Sequence, residues 1–463
     1  MCGIFGIRAP DRDVARVTFF GLFALQHRGQ ESAGIAVSDR GRLTVLRDMG
    51  LVTQVFDEQK LSGLHGDVAI GHTRYSTTGS TQWANAQPLI QRGPSRTVAL
   101  GHNGNLVNAA ELREELVAEG IPLGTTSDTE VIAALIAHDP APLDQAVANA
   151  ASRLEGAFSV VALSEGKLIA FRDRHGFRPL CLGRADGDWI VASETCALDL
   201  VGAELEREIS PGELVVIDDE GVHASRAVEP AEHGALCIFE LFYLARPDSR
   251  LEGVEVHGAR VRMGERLAKE APAEADLVLP IPDSGTPAAI GFSRASGIPF
   301  SEGLIKNRYV GRTFIQPDQG LREQGVKLKF NPLAEVAGKR VVAVDDSIVR
   351  GNTTRKIVQM LFEAGAAEVH VRVSSPPIVS QCYYGIDFAE EDELIAASRS
   401  VDEVRDHIGA TSLAYLSLEG LQESTRRPES ELCRACLTRE YPTRIPREAG
   451  KLRFERTHSV VSA

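Results

Sequence analysis

Residues 341–344 form an uninterrupted apolar run that stops at two adjacent carboxylates, Asp345 and Asp346. Such a run is typical of a strand that is buried on both faces of a parallel sheet. Small polar residues follow, and residues 355–364 then have the spacing of a helix. Residues 277–282 are a second apolar run that ends in polar residues, and a helical pattern at 256–269 precedes it. The pattern predicts an open α/β sheet whose ligands bind beyond the carboxyl ends of the strands.

The first 217 residues have a different pattern, in which short strand-like runs are separated by amphipathic helical segments. We predict strands at residues 3–7, 34–37, 43–47, 68–74, 97–101, 158–162, 167–172, 189–193 and 213–217, and helices at 14–25, 109–119, 128–137 and 143–154. This mixture favours stacked sheets covered by helices. Residues 218–234 are acidic and are interrupted by Pro230 and Gly234, so we expect them to connect two domains.

Composition supports that division, because 463 residues exceed the size of one compact domain. The net charge of −14 argues against nucleic acid and against an anionic membrane surface as partners. No apolar run approaches the length of a membrane span, and residues 1–20 lack the apolar core of a signal peptide. We therefore expect a cytoplasmic enzyme whose seven cysteines are thiols, ligands or nucleophiles.

The polar loop after Asp346 has the composition of a phosphate site. It offers hydroxyls, one guanidinium and a flexible backbone, from Ser347, Arg350, Gly351, Asn352, Thr353 and Thr354. A strand, a tight loop and a helix N-terminus together make an anion-binding nest. Because Asp345 and Asp346 would repel a bare phosphate, the ligand should also bring hydroxyls or a divalent metal, as a phosphorylated sugar does. The alternative is an ordinary strand-to-helix turn with an aspartate near the N-cap.

An acidic protein that binds a phosphate needs local positive charge. Residues 306–329 supply it with six basic side chains, namely Lys306, Arg308, Arg312, Arg322, Lys327 and Lys329. Three glycines interrupt this segment, so a mobile lid over the ligand is more plausible than a helix. A solvated surface loop is the alternative.

Cys2 is a candidate nucleophile. Removal of Met1 would leave a thiol and a free α-amine on one residue, and that amine could act as the base for the thiol. Polar clusters also interrupt the strand pattern at residues 71–77, 101–106 and 126–130. For Cys2 taken alone, an ordinary terminal residue is the alternative.

Together with residues 26–30, Cys2 and these clusters resemble the glutaminase domain of N-terminal-nucleophile amidotransferases. The resemblance implies that Cys2 attacks the side-chain amide of glutamine, while the Asn103 side chain and the Gly104 backbone N–H stabilise the oxyanion. It also implies that Arg74 pairs the α-carboxylate and Asp128 the α-amine. Taken singly, these clusters could be a hairpin turn at 103–104, a surface ion pair of Arg74 and a helix cap before Asp128.

Residues 345–354 resemble the fingerprint with which type I phosphoribosyltransferases bind 5-phosphoribosyl 1-pyrophosphate (PRPP). With residues 306–315 and the order of the domains, nearly the whole chain resembles the family of glutamine phosphoribosylpyrophosphate amidotransferases. The resemblance implies that glutamine, PRPP and water give 5-phosphoribosylamine, glutamate and pyrophosphate, the first step of de novo purine synthesis. Ammonia made at Cys2 would pass inside the protein to the PRPP site.

The same resemblance implies an architecture and partners. We expect a four-layer αββα glutaminase domain at residues 2–230, a phosphoribosyltransferase α/β domain at 235–425, and a C-terminal segment at 426–463 packed on the second domain. Mg²⁺, one per subunit, would bind at Ser284, Asp345 and Asp346, and Lys306 and Arg308 would contact PRPP. A homotetramer and feedback inhibition by purine nucleotides are also implied.

Cys433 and Cys436 form a Cys-x-x-Cys pair, for which zinc, redox and accidental interpretations are open. The resemblance adds Cys237 and Cys382, which match the positions that carry a [4Fe–4S] cluster in one branch of the family. Such a cluster would tie the C-terminal segment down. Cys181 and Cys196 lie in apolar contexts and are interpreted as core residues. Members with the cluster commonly begin with a short propeptide, whereas only Met1 precedes Cys2 here, which leaves the route of maturation open.

Three other functions compete. A different glutamine amidotransferase would share the first 130 residues but not the pair Asp345 and Asp346. A salvage phosphoribosyltransferase would use a nucleobase and would not need Cys2. A non-catalytic nucleotide-binding regulator could keep the phosphate loop and lose the glutaminase, yet this chain retains every residue that the resemblance assigns to that chemistry.

Overall fold

The computed structural model describes residues 1–307, 329–387 and 391–446. Arg308 and most of the predicted basic lid lie outside the described residues. Residues 447–463, the end of the predicted C-terminal segment, also lie outside them.

The first domain is built on two antiparallel sheets. The seven-stranded sheet has the spatial order Glu204–Glu208, Cys181–Ala185, Asp188–Ala192, Gly3–Arg8, Val68–Arg74, Ser32–Asp39 and Arg42–Met49. The six-stranded sheet has the order Gly221–Arg226, Glu213–Asp218, Lys167–Arg172, Gly156–Ser164, Thr97–Leu106 and Leu89–Arg92. The strand that follows Cys2 therefore lies at the centre of the first sheet, with a neighbour on each side.

Apolar side chains from the two sheets meet in a shared inner layer, which includes Ile4, Ile70, Val161 and Leu168. Helices cover both outer faces. Val14–Ala24, Val52–Val55, Glu58–Leu61 and Thr195–Leu200 pack on the seven-stranded sheet, whereas Ala109–Ala118, Asp128–His138 and Leu143–Arg153 pack on the six-stranded one. This arrangement confirms the predicted four-layer αββα fold.

All the strands and helices predicted in this domain are present, with ends that differ by at most five residues. Four strands were not predicted, namely Leu89–Arg92, Cys181–Ala185, Glu204–Glu208 and Gly221–Arg226. The last of these corrects the prediction for residues 218–234, because Gly221–Arg226 pairs with Glu213–Asp218 as an edge strand. Its side chains are largely exposed, so it lacks the apolar alternation that identifies a strand in a sequence.

The second domain has a parallel sheet in the order Leu277–Pro280, Arg340–Asp345, Glu368–Val373 and Ser412–Tyr415. Helices Val256–Glu270 and Thr286–Ser296 cover one face, and Asn352–Glu363 and Val401–Ile408 cover the other. Strands Leu304–Lys306 and Phe330–Pro332 form a separate antiparallel pair, and Leu418–Thr425 is a further helix. The predicted α/β class of this domain is therefore confirmed.

The described part of the C-terminal segment contributes the short strand Leu432–Cys433 and the helix Ala435–Thr438. The strand pairs in parallel with Leu236–Cys237, the first strand of the second domain. Cys433 also joins an apolar cluster with Phe177 of the first domain. The described part of the segment therefore contacts the second domain, on which it was predicted to pack, and also the first domain.

Across the described ranges, no helix combines the length and the apolar composition needed to cross a membrane.

Candidate functional site

Cys2 is fixed at the start of the central strand of the first sheet. Its neighbour Gly3 pairs with Thr73, and Cys2 itself is only 5% exposed. The Cys2 backbone N donates to Oδ1 of Asn103 over 3.1 Å, and its thiol donates to the Tyr75 carbonyl over 3.6 Å. The backbone of Cys2 is thus tied to a strand of the six-stranded sheet, and its thiol contacts the residue that follows the strand Val68–Arg74 of the seven-stranded sheet.

Asn103 and Gly104 lie within the strand Thr97–Leu106, and not beyond its end as predicted for the cluster at 101–106. Gly104 pairs with Phe158, and a Cβ there would lie 2.0 Å from the Ala157 carbonyl oxygen, so only glycine fits. Oδ1 of Asn103 is used by Cys2, and its Nδ2 is buried with no hydrogen-bond partner among the described residues. An unsatisfied buried donor costs about 1–3 kcal/mol. It is also the group that an oxyanion formed beside Cys2 would require.

Arg74 is the last residue of its strand, and its guanidinium is buried. Nη1 donates to the Ser80 carbonyl and Nη2 to the Thr78 carbonyl, both over 3.2 Å. These two bonds hold the loop that follows the strand. A substrate carboxylate at Arg74 would replace or extend these contacts with a charge-assisted pair.

Asp128 is the first residue of the helix Asp128–His138 and is buried. Its Oδ2 accepts from the backbone N of Leu106 over 3.0 Å, so the carboxylate sits against the strand of Asn103. Asn85 links this side of the site to the Arg74 loop, because its Nδ2 donates to the Ser80 carbonyl at 2.9 Å and to Thr126 Oγ1 at 2.8 Å. These hydrogen bonds place Asp128 against the strand that carries Asn103 and Gly104, and they tie the residues just before Asp128 to the loop held by Arg74.

A buried ion network lies behind Cys2. Nε of Arg28 donates to the Cys2 carbonyl over 3.0 Å, and its Nη atoms contact both oxygens of Glu240 at 3.0 and 2.7 Å. Nη1 also donates to Glu194, and Arg178 reaches Glu240 at 3.2 Å. All four of these charged side chains have no exposed surface. Two guanidinium groups and two carboxylates are thus balanced at the junction of the domains.

The opposite charges within the network stabilise one another's ionised forms. Burial alone would lower the pKa of Arg28, but the carboxylates of Glu240 and Glu194 raise it above its usual range. Burial would likewise raise the pKa of Glu194, yet His27 and Arg28 hold it well below its usual range. Both partners therefore remain charged although water does not reach them.

The second candidate site lies where the strand Arg340–Asp345 ends. Asp345 and Asp346 are 8% and 4% exposed. Asp346 accepts from the hydroxyls of Ser284 and Ser347, and its backbone N donates to Asp345 Oδ1 over 2.9 Å. The pKa of Asp345 is raised, first by burial and then by the charge of Asp346. Burial also raises the pKa of Asp346, although the hydrogen bonds from Ser284 and Ser347 act in the opposite direction. The pair is therefore poised to bind a cation or hydroxyl groups.

The loop after these aspartates leads directly into the helix Asn352–Glu363. Gly351 is its N-cap at φ +76°, a conformation that favours glycine, and Thr354 bonds to Asp345. Asn352 and Thr353 are exposed at the first turn. The structure therefore brings most of the predicted phosphate loop together. The predicted phosphate ligand Arg350 is exposed and is instead paired with Glu393 at 2.5 Å.

Lys306 lies at the end of the strand Leu304–Lys306, where it pairs with Asp283 in the loop that carries Ser284. Among the described residues, no group of three or more His, Cys, Asp or Glu side chains is arranged to hold a metal ion. Mg²⁺ usually uses one or two carboxylates together with water and substrate phosphates. Oxygen donors from Asp345, Asp346 and Ser284 fit that kind of binding.

Four cysteines lie together where the C-terminal segment meets the second domain. Cys237 and Cys433 are paired in register on adjacent parallel strands, and Cys436 follows one turn later. Burial and mutual proximity to other thiols raise the pKa of Cys433 and Cys436. Cys382 accepts a hydrogen bond from the Tyr384 backbone N over 3.3 Å. None of the seven cysteines forms a disulfide. Four thiolates are the usual ligands of a [4Fe–4S] cluster, but within the described ranges these four thiols are not arranged as a ready metal-binding group.

Cys181 and Cys196 are only 2% exposed and pack in the core beneath the seven-stranded sheet, as predicted. Sequence reasoning missed Glu194, Glu240 and Arg178. Glu240 carried a detectable signal, because it is a single carboxylate in the otherwise apolar run at residues 237–245. An isolated charge in such a run is costly unless a partner neutralises it.

Comparison with known proteins identifies similar sequences for both domains. Residues 72–200 match the glutamine amidotransferase domain family, and residues 256–375 match the phosphoribosyl transferase domain family. An amidophosphoribosyltransferase of Mycobacterium tuberculosis is 54% identical, over 97% of this chain and 88% of the relative. The amidophosphoribosyltransferase of Bacillus subtilis is 48% identical, over 96% of this chain and 94% of its own length.

Solved structures agree with the sequence relatives. The fold matches glutamine phosphoribosylpyrophosphate (PRPP) amidotransferase from B. subtilis, solved in complex with ADP and GMP, with a TM-score of 0.91. That match covers 97% of this chain and 99% of the B. subtilis chain, at 48% sequence identity. The similarity therefore includes both domains and their relative arrangement.

Proposed function

The chain belongs to the amidophosphoribosyltransferase family, which catalyses the first step of purine biosynthesis, and on that premise we propose how its two sites divide the reaction. The glutaminase site around Cys2 releases ammonia from glutamine. The site around Asp345 and Asp346 uses that ammonia to displace pyrophosphate from PRPP. The order of the two matched domain families supports this division.

In the proposed glutaminase reaction, Cys2 is the nucleophile once Met1 has been removed. The nitrogen that now donates to Asn103 Oδ1 then becomes the α-amine and takes the thiol proton. Sγ attacks the side-chain amide carbon of glutamine, and the C–N bond breaks to release ammonia. Water then cleaves the thioester and yields glutamate. Arg74 and Asp128 are proposed to bind the α-carboxylate and α-amine of the substrate.

One observation carries this proposal. Cys2 orients Asn103 through Oδ1, and that bond leaves Nδ2 as a buried donor without a partner among the described residues. The unsatisfied donor is compensated when the tetrahedral intermediate forms, because the oxyanion accepts from Nδ2 and from the Gly104 backbone N–H. Stabilisation that appears only at this stage lowers the barrier to reaction.

In the proposed second reaction, ammonia attacks C1 of the ribose and the bond from C1 to the pyrophosphate oxygen breaks. Asp345 and Asp346 hold the ribose hydroxyls, while the N-terminus of the helix Asn352–Glu363 holds the 5-phosphate. Lys306 and Arg308 are proposed to contact the pyrophosphate. Mg²⁺ bound at these aspartates and Ser284 would neutralise charge on the departing pyrophosphate.

The remaining parts of the proposal concern assembly and regulation. We propose that a [4Fe–4S] cluster at Cys237, Cys382, Cys433 and Cys436 holds the C-terminal segment in place. We also propose a cytoplasmic homotetramer in which ammonia passes internally between the sites. Inhibition by purine nucleotides is supported by the B. subtilis structure in complex with ADP and GMP.

Cys2→Ala tests the division of labour. We expect it to abolish synthesis from glutamine and to spare synthesis from added ammonia, because the PRPP site does not contain Cys2. Cys181→Ala is the matched control, since it removes a buried thiol from the core of the same domain, and it should retain both activities. Pyrophosphate and glutamate release are measured with each nitrogen source. If folded Cys2→Ala lost both activities, the two-site scheme would be wrong.

A further inference from the structure

A short segment of the second domain presses against the strand that carries the oxyanion donors. Gly385 faces Gly104 so closely that a Cβ on Gly385 would lie 3.0 Å from the Gly104 carbonyl carbon and oxygen. Beside this contact, Nδ2 of Asn105 donates to the Tyr383 carbonyl over 3.0 Å. Two contacts therefore connect residues 383–385 to the residues next to Asn103.

The segment that makes these contacts is itself firmly held. Nε and Nη2 of the buried Arg178 donate to the Tyr384 carbonyl over 3.0 and 2.7 Å. The ring of Tyr384 stacks on Phe177 with the ring centroids 4.2 Å apart. Both Arg178 and Phe177 belong to the first domain. Residues 383–385 are therefore a rigid support for the strand, and not a loosely packed loop.

Asn105 also contacts the substrate side of the glutaminase site. Its Oδ1 accepts from the Thr78 hydroxyl, and the Thr78 carbonyl accepts from Arg74. One half-buried side chain thus joins the oxyanion strand, the loop that holds Arg74 and the second domain.

We propose that Asn105, which is hydrogen-bonded to the Tyr383 carbonyl beside the contact between Gly385 and Gly104, is a positioning residue that lets the second domain set the geometry of the oxyanion donors. The inference rests on the proposed function, in which Asn103 and Gly104 stabilise the oxyanion. Oxyanion donors act only when they lie within hydrogen-bond distance of the developing charge, so a small displacement of this strand is costly. A displacement of residues 383–385 would also move the Thr78 loop, and with it Arg74.

Asn105→Ala tests the inference. We expect kcat with glutamine to fall by about 10- to 100-fold, as a misplaced catalytic group does, with synthesis from added ammonia unchanged. Asn108→Ala is the matched control, because Asn108 also makes two hydrogen bonds, to the Arg153 carbonyl and from the Glu155 backbone N, entirely within the first domain. It should leave kcat with glutamine unchanged. An equal loss of both activities in Asn105→Ala would overturn the inference, since that result indicates general structural damage.

Asn105→Asp separates the two bonds of the side chain. It keeps an acceptor for Thr78 but places a carboxylate against the Tyr383 carbonyl. We expect it to behave like Asn105→Ala, and wild-type kinetics would overturn the inference because only the bond to Thr78 would then matter. This variant also answers the question if Asn105→Ala does not fold. Gly385→Ala should give the same selective loss by pushing Gly104 out of place.

Asn103→Ala distinguishes failure of this inference from failure of the proposed function. If kcat with glutamine is unchanged in Asn103→Ala, the oxyanion assignment is wrong, and the positioning inference fails with it. If Asn103→Ala loses glutamine activity and Asn105→Ala does not, the assignment stands and only the positioning inference is overturned.

Discussion

Glu240→Gln should destabilise the protein strongly, although Glu240 lies outside both proposed sites. Its carboxylate accepts two bonds from Arg28 and one from Arg178, and all three side chains are fully buried. The substitution keeps the shape of the side chain and removes one of the two negative charges. Arg28 would then keep only Glu194, and Arg178 would lose the carboxylate that it contacts, so an uncompensated positive charge would remain inside the protein.

The size of the expected loss in stability follows from the complete burial of these side chains. Removing one partner of a fully buried ion pair costs about 3–5 kcal/mol, because the remaining charge has lost water and gains no substitute. For a domain of roughly 150–250 residues, each kcal/mol lowers Tm by about 2–4 °C. We therefore expect Tm to fall by about 6–20 °C in a calorimetric scan.

A surface pair provides the matched control. Glu58 accepts two hydrogen bonds from Arg16, at 2.8 and 2.6 Å, in the same bidentate geometry as Glu240 with Arg28, but both side chains are solvent-exposed. Glu58→Gln should leave Tm unchanged, because water and salt screen exposed ion pairs. Equal shifts in Tm for the two variants would refute the reasoning, since burial would then not determine the strength of the network. No shift for Glu240→Gln would refute it as well.

Three further predictions concern the second domain. Asp345→Asn combined with Asp346→Asn should remove PRPP turnover with glutamine and with ammonia alike, and unaltered kinetics would mean that the sugar site lies elsewhere. Because burial raises the pKa of both aspartates in the free protein, each contributes stability that is present at low pH and is lost as pH rises through its raised pKa. On the proposed binding of Mg²⁺ and PRPP at these aspartates, the ligands must displace those protons. KM for PRPP should therefore increase as pH falls below the raised pKa, and a flat pH profile would contradict this prediction. Protein purified without oxygen should be brown and contain about four irons per chain, and stoichiometric zinc without iron would overturn the cluster assignment.

The sequence was sufficient to predict the layers of both domains, because their strands are buried and therefore apolar. The run that ends at Asp345 is an example, since the parallel sheet covers it on both faces. The edge strand Gly221–Arg226 could not be predicted in this way, because its side chains are largely exposed and its sequence lacks the alternation of apolar and polar residues.

The candidate site residues came from two kinds of reasoning. Cys2 and Asp346 were selected from the residues themselves, a thiol beside the chain's first residue and a carboxylate at the end of an apolar run, whereas Asn103 was assigned by the resemblance to amidotransferases. The structure places Asn103 Oδ1 3.1 Å from the Cys2 backbone N, and the roles of all three residues stay predictions. Long-range supports could not be identified in the same way. Arg28 and Glu240 are 212 positions apart in the chain, and no local pattern indicates that they are partners.

The roles of glycines were predicted only in part, because a glycine is required where another part of the chain packs closely against it, and that contact is not visible in the local sequence. Gly29 lies in a recognised motif, and the structure supplies the reason: a Cβ there would lie 2.6 Å from the backbone carbons of Thr73 and Arg74. Gly385 lies three residues after Cys382, in a stretch where only the cysteine was assigned a role. Its contact with Gly104 joins two domains, and it exists only once both have folded.

The central position of the strand Gly3–Arg8 has a consequence for the timing of synthesis. This strand leaves the ribosome well before its neighbours, Val68–Arg74 and Asp188–Ala192. At about 5–20 residues per second, the second neighbour emerges roughly 10–40 seconds later. In the folded chain Met1 is only 4% exposed, so we expect the proposed removal of Met1 to take place before the central strand is enclosed by both neighbours. The time between synthesis of the first strand and of its second neighbour then limits the period in which an aminopeptidase can reach the bond before Cys2, the proposed nucleophile.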